Sequence, residues 1–223
     1  MKKVLIAVSS LMVLALTASA ALAEYAPKLS FKVSDTKTLA NPEINILVSQ
    51  EQGEEELGHV TLNIPKGFNL PADEAIENGD VLGTADLEIA VGPACRNDGA
   101  GAIPLQATVP FSDRKIVEQD RTDEQADAGV HAVWVVDLKP VTTIPLEVTG
   151  SVAKGWKLDG DIPANDNTCP PLVFDGTIFS KSEGGVPLVT NPKKPGKYVF
   201  SGSLFSAESP SVVTVKQPVT ITK

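Results

Sequence analysis

Aromatic residues are scarce in this chain. They make up 5% of 223 residues, with two Trp and two Tyr, so a sugar cleft floored by stacked rings is poorly supplied. His59 and His131 are the only histidines. That excludes most His-rich metal enzymes and leaves little acid–base chemistry near neutral pH. Two cysteines, Cys95 and Cys169, are too few for a structural zinc site. Positive charge is in deficit: 19 Lys and Arg against 28 Asp and Glu give a net charge of -9, the wrong sign for a generic nucleic-acid binder. Apolar content, at 42%, is high enough to exclude disorder throughout. Gly and Pro are plentiful, 17 of each, in line with a fold rich in turns.

The N-terminus has the layout of a secretory signal peptide. Lys2 and Lys3 form a basic head, Val4 to Leu16 an apolar middle, and Thr17 to Ala23 a run of mostly small residues with Ala21 and Ala23 in the A-x-A pattern. Cleavage is expected after Ala23, leaving residues 24–223 with Lys2 and Lys3 removed. The alternative, an uncleaved anchor, needs ~20 apolar residues, more than this run supplies. No later stretch reads as a membrane span, and no Cys stands at the cleavage point. The mature protein is therefore expected to be soluble and secreted or extracytoplasmic. In an oxidising compartment Cys95 and Cys169 are expected to pair. Closing that loop would remove about 4–5 kcal/mol of unfolded-state entropy. Two free thiols are the alternative.

Beyond residue 23 the pattern is β. Strands are expected near 29–34, 44–50, 59–64, 80–91, 103–110, 130–138, 146–152, 171–180, 196–206 and 211–222, each bounded by Gly, Pro, Asn or Asp. Leu146, Val148 and Val152 are expected to share one face. Evenly spaced short strands predict an all-β fold, an antiparallel β-sandwich with Greek-key or jelly-roll-like topology and at most one or two short helices. Residues 70–79 fit one short helix. Residues 112–129 are polar and read as the longest excursion from the sheets, a strand end and then a loop or one helical turn starting at Thr122, where Thr122-Asp123-Glu124-Gln125 fits a capping box. Residues 24–223 read as one domain, with two closely packed sandwich halves as the alternative.

Candidate chemistry is thin. A serine hydrolase needs a base histidine near its nucleophile, yet His59 and His131 both lie in strands and no G-x-S-x-G elbow is present. Both are expected to be dispensable, so no catalytic residue is assigned. A glycosidase needs two placed carboxylates, and 28 acids make chance pairs unavoidable. Trp134, inside Val130–Val136, reads as core. Trp156, beside Gly155, is the candidate ligand platform, with core or edge packing as its other reading. The 159–167 stretch offers oxygen ligands, so Asp159, Asp161 and Asp166 are candidate calcium ligands, although the EF-hand spacing is absent. Glu51 to Glu56 reads as a hairpin tip kept soluble by charge.

Val60-Thr61-Leu62-Asn63-Ile64-Pro65-Lys66-Gly67-Phe68, then Gly79 to Ala85, resembles a strand pattern of exported bacterial β-sandwich proteins. Pro187 to Pro192 and Pro195 to Phe200 resemble a second stretch of such proteins. The resemblance implies an extracellular immunoglobulin-like or jelly-roll-like module and carries over no catalytic residue. The expected function is a non-catalytic exported module that binds an extracellular protein or glycan, or serves as a cell-envelope or matrix component. A carbohydrate- or calcium-dependent ligand module and a secreted hydrolase are the alternatives.

Overall fold

The computed structural model describes residues 25–51, 54–71, 75–91, 107–139, 142–162 and 168–223. Among them the elements run β1 (Lys28–Val33), β2 (Ile44–Ser49), β3 (Leu57–Ile64), β4 (Val81–Val91), β5 (Ala107–Gln119), α1 (Asp123–Asp127), β6 (Val130–Leu138), β7 (Thr142–Ser151), β8 (Gly155–Asp161), β9 (Thr168–Ile178), β10 (Gly196–Ser206) and β11 (Val212–Ile221). Alternation decides which face each strand buries. In β2, Ile44, Ile46 and Val48 turn inward, and in β3 Val60, Leu62 and Ile64 do so. Phe200 of β10 is fully buried, its ring 5.6 Å from Phe31 and 5.1 Å from Phe68. Burying a side chain of that size contributes about 1.5–3 kcal/mol.

The fold is all-β and antiparallel, as expected, but the strands do not separate into two sheets. They form one continuous ladder in the order β1-β2-β9-β4-β5-β6-β7-β8-β3-β10-β11, each neighbour antiparallel. Eleven is odd, so the first and last strands of the ladder point the same way and can meet only as a parallel pair. They do approach one another. Thr38 N–H donates to the Thr222 carbonyl at 2.9 Å and Thr222 N–H to the Thr36 carbonyl at 2.7 Å, around a parallel bridge of Lys37 with Thr222. Further along, a side chain spans the gap. Phe31 N–H donates to Gln217 Oε1 at 2.9 Å, while Gln217 Nε2 donates back to the Phe31 carbonyl. The sheet is thus nearly closed into a barrel. Among the described residues, voids of about 40 and 10 Å³ lie between facing strands, lined by apolar side chains such as Val60, Ile144 and Trp134.

Two strands depart from expectation. β5 runs on to Gln119, through the polar stretch read as an excursion, because Ile116 and Glu118 are buried while Asp113, Lys115 and Gln119 face out. β8 occupies part of a stretch read as a calcium loop. Gly160 stands in it because a Cβ would lie 2.7 Å from the Pro145 carbonyl. α1 forms where the capping box placed it. Gln125 N–H donates to Thr122 Oγ1 at 3.2 Å and Thr122 N–H to Gln125 Oε1 at 2.9 Å. It packs on β6, which is buried on both faces: Ala132, Trp134 and Val136 join the main core, Val133 and Val135 a second cluster with Val117. Residues 72–74 of the expected 70–79 helix lie outside the described residues, and the rest holds a tight turn at Ala75. Val152 is 41% exposed in the β7–β8 turn, off the face that Leu146 and Val148 share.

Candidate functional site

Register brings the polar outward residues of β3 and β8 together. Because Val60 and Leu62 point inward, His59 and Thr61 point out. Because Trp156 and Leu158 point inward, Lys157, Asp159 and Asp161 point out. The ladder sets His59 opposite Asp161, Thr61 opposite Asp159 and Asn63 opposite Lys157. His59 Nδ1 lies 2.7 Å from Asp161 Oδ1, and Nε2 lies 3.1 Å from Asp159 Oδ1. Thr61 Oγ1 donates to the same Asp159 oxygen at 2.5 Å, and Lys157 Nζ donates to Asp159 Oδ2 at 2.8 Å. Burial alone would raise the Asp159 carboxyl. The hydrogen bonds from Lys157 and Thr61, with the charges of Lys157 and His59, outweigh it and hold the group below the usual carboxylate range. The Phe205 ring on β10 closes the cluster, edge-on to His59 at 5.2 Å.

In outline the order hydroxyl, imidazole, carboxylate is that of a hydrolytic triad, since Thr61 Oγ1 is 3.4 Å from His59 Nε2. Its chemistry differs. The Thr61 proton goes to Asp159, so the imidazole does not draw it away from the hydroxyl. β3 is paired on both flanks, with β8 and β10, so backbone amides around Thr61 are committed to ladders and not aimed at a developing oxyanion. The group lies on a sheet face, with Asp161 90% exposed.

The other sequence candidates separate. Asp159 and Asp161 share this face, but the Lys157 ammonium already sits on Asp159, where a cation would bind. Asp166 lies outside the described residues. Among the described residues no cluster of three or more His, Cys, Asp or Glu side chains is arranged to hold a metal ion. Trp156 is 5% exposed. Its indole N–H donates to the Phe68 carbonyl at 2.9 Å, and its ring lies 4.6 Å from that of His131, whose Nε2 is 2.6 Å from the Pro71 carbonyl. Both rings brace the 65–71 segment, and Trp156 belongs to the core. Cys95 lies outside the described residues, and Cys169 is placed only by its backbone in β9.

Sequence reasoning missed a groove of about 630 Å³ at one end of the sheet, with Leu39, Asn69, Val152, Pro192, Lys193 and Tyr198 among its walls. It is built by four connections. Gly67 N–H donates to the Val152 carbonyl at 2.7 Å, and Asn69 exchanges backbone hydrogen bonds with Thr190. The buried Asn191 amide donates to the Asp35 and Lys37 carbonyls, both at 2.8 Å, and so fixes the turn that carries Leu39 at φ 60°. The run Pro192-Lys193-Lys194-Pro195 was the available signal, and nothing in sequence separation joined it to Leu39 or Val152. No helix among the described residues is long and apolar enough to cross a membrane. Compared with known proteins, the chain matches no family model and no curated sequence.

Proposed function

We propose that the protein is an exported, non-catalytic β-sandwich-like module that acts by binding or as a component of the cell envelope or matrix. The observation that carries this is the mutual saturation of the His59 group. Its hydroxyl, imidazole and carboxylates satisfy one another on a sheet face, with the Lys157 ammonium on the same carboxylate. A nucleophile must instead have its proton aligned on the base, beside donors for the oxyanion. The basic, apolar and small-residue order of residues 1–23 supports export, with cleavage after Ala23.

Two measurements test this. N-terminal sequencing of exported protein should begin at Glu24, within two residues; an intact Met1 refutes export by this route. Purified protein should hydrolyse no ester, peptide or glycoside faster than buffer, and EDTA should leave its melting curve in place. A hydrolytic activity that falls more than about a hundredfold in His59→Gln, at unchanged melting temperature, would return the protein to the enzymes.

A further inference from the structure

The odd-numbered strands all run one way and the even-numbered ones the other, so connections alternate between the two ends of the sheet. Individual connections differ sharply in charge. The segments that form the groove, 37–41, 65–71, 150–154 and 188–200, carry Lys37, Lys66, Lys154, Lys193, Lys194 and Lys197 and none of the chain's 28 acidic residues. Acids occur beyond these segments at the same end: Asp35, which accepts the Lys37 N–H at 2.8 Å, and Glu43 in the β1–β2 connection, Glu77 and Asp80 before β4, Asp120 to Asp127 between β5 and β6, and Glu183 after β9. Two of the most exposed large apolar residues sit among these lysines: Leu39 at 57% and Val152 at 41%.

At the opposite end two adjoining connections are acidic. Between β2 and β3 stand Glu51, Glu54, Glu55 and Glu56, and the β10–β11 turn brings up Glu208. The two connections are tied together: Ala207 N–H donates to the Glu56 carbonyl at 2.8 Å, and Ser209 Oγ to Glu55 Oε2. The carboxylates crowd one another, and burial followed by the charge of Glu208 pushes the Glu56 carboxyl up. Val212, 47% exposed, stands at the start of β11 beside them. Lys28 is the nearby cation, 3.6 Å from Glu51.

We infer that the protein associates head to tail, the lysine-rimmed groove of one copy receiving the glutamate-bearing end of the next. This rests on the reading of the protein as a binding or structural module and names its partner. An anionic glycan would satisfy the lysines, but it would leave the crowded glutamates and Val212 uncovered. A second copy satisfies both ends at once. Each exposed ion pair is worth about 0–1 kcal/mol, so the contact needs several pairs together with burial of Leu39, Val152 and Val212, and it should weaken as salt screens the ends. The two patches differ, so the interface is heterologous. Every added copy presents a fresh groove or a fresh acidic end, and growth continues unless a ring closes.

Sedimentation equilibrium on the purified protein tests this. At about 20 mM salt the weight-average mass should rise with concentration, and at about 0.5 M salt it should return to that of the monomer. K193E/K194E and E51K/E54K should each weaken association at least about tenfold, with melting curves like that of the parent protein. Mixing the two variants in equal amounts should restore association, since each then supplies the charge that the other lacks. A wild-type protein that stays monomeric at low salt overturns the inference, as do variants that associate like wild type or that stay monomeric when mixed. Capture of an anionic polysaccharide by a wild-type monomer overturns it in favour of a glycan. A monomer without hydrolytic activity defeats only the head-to-tail contact, whereas His59-dependent hydrolysis defeats the module reading itself.

Discussion

Gln217 closes the gap between β1 and β11, and replacing it measures that joint directly. Phe31 is 2% exposed, and its N–H and carbonyl both bond to the Gln217 amide. Gln217→Leu fills similar space but leaves a part-buried donor and a part-buried acceptor without partners. Full burial would cost about 1–3 kcal/mol each, so the expected loss is at most about 2–6 kcal/mol, a large share of a typical domain's stability. Gln217→Glu keeps an acceptor for the Phe31 N–H and sets a carboxylate against the Phe31 carbonyl. Its deficit should shrink as acid protonates the carboxyl and restores a donor. Urea unfolding gives the free energies, and hydrogen exchange at the Phe31 amide shows whether the joint opens locally. Lys216→Ala, at an exposed position of the same strand, should stay within about 0.5 kcal/mol of wild type. A Gln217→Leu protein equally close to wild type, with its Phe31 amide still protected, would refute the assignment of the joint to this side chain.

Three further outcomes are expected. Mass spectra of the non-reduced and reduced protein should differ by one disulfide between Cys95 and Cys169. The register that pairs Val91 with Thr168 supports it by leaving three residues before Cys95, and Cys95→Ser should then lower stability by a few kcal/mol; alkylation of both thiols in the native protein contradicts the pairing. The folded state holds the Glu56 proton to higher pH than the unfolded chain does, so ionised Glu56 lowers stability as pH rises through its range and lowers it not at all in acid. Glu56→Gln should therefore raise Tm at pH 7 and leave it unchanged near pH 3, and an equal effect at both would exclude this cause. His131→Gln should cost more stability than His59→Gln, because His131 packs on Trp156 and bonds the Pro71 carbonyl while His59 lies on the outer face; comparative thermal melts decide between them.

Local signals proved readable. The Thr122–Gln125 capping box is a four-residue event, and it sits where the sequence put it. The period-two strands of Ile44–Ser49 and Leu57–Ile64 needed only their own alternation, and the apolar run at Val130–Val136 announced a heavily buried strand. Closure was not readable, because alternation tells which side of a strand is inward and not which strand lies beside it. One sheet instead of two is decided by partners such as Phe31 and Gln217, 186 positions apart. β8 was hidden because Asp159, Gly160 and Asp161 are turn residues by habit, while here the acids face outward and the glycine answers the approach of Pro145. Trp156 looked like a turn platform because Gly155 precedes it, and the hydrogen bond to Phe68 that buries it is long-range. The His59 cluster likewise depends on a register between residues 102 positions apart.

The parallel joint between the first and last strands of the ladder also sets the order of assembly. Among the described strands β1 is the first to emerge in synthesis and its closing partner, β11, the last. Until Val212–Ile221 is delivered, β1 and β10 both present open edges, the kind of surface on which strands of other molecules add. Contacts so distant in sequence form late and slowly. A chain of this design stays open until β11 joins β10, and a copy truncated before Val212 would leave the edges of β1 and β10 without that strand.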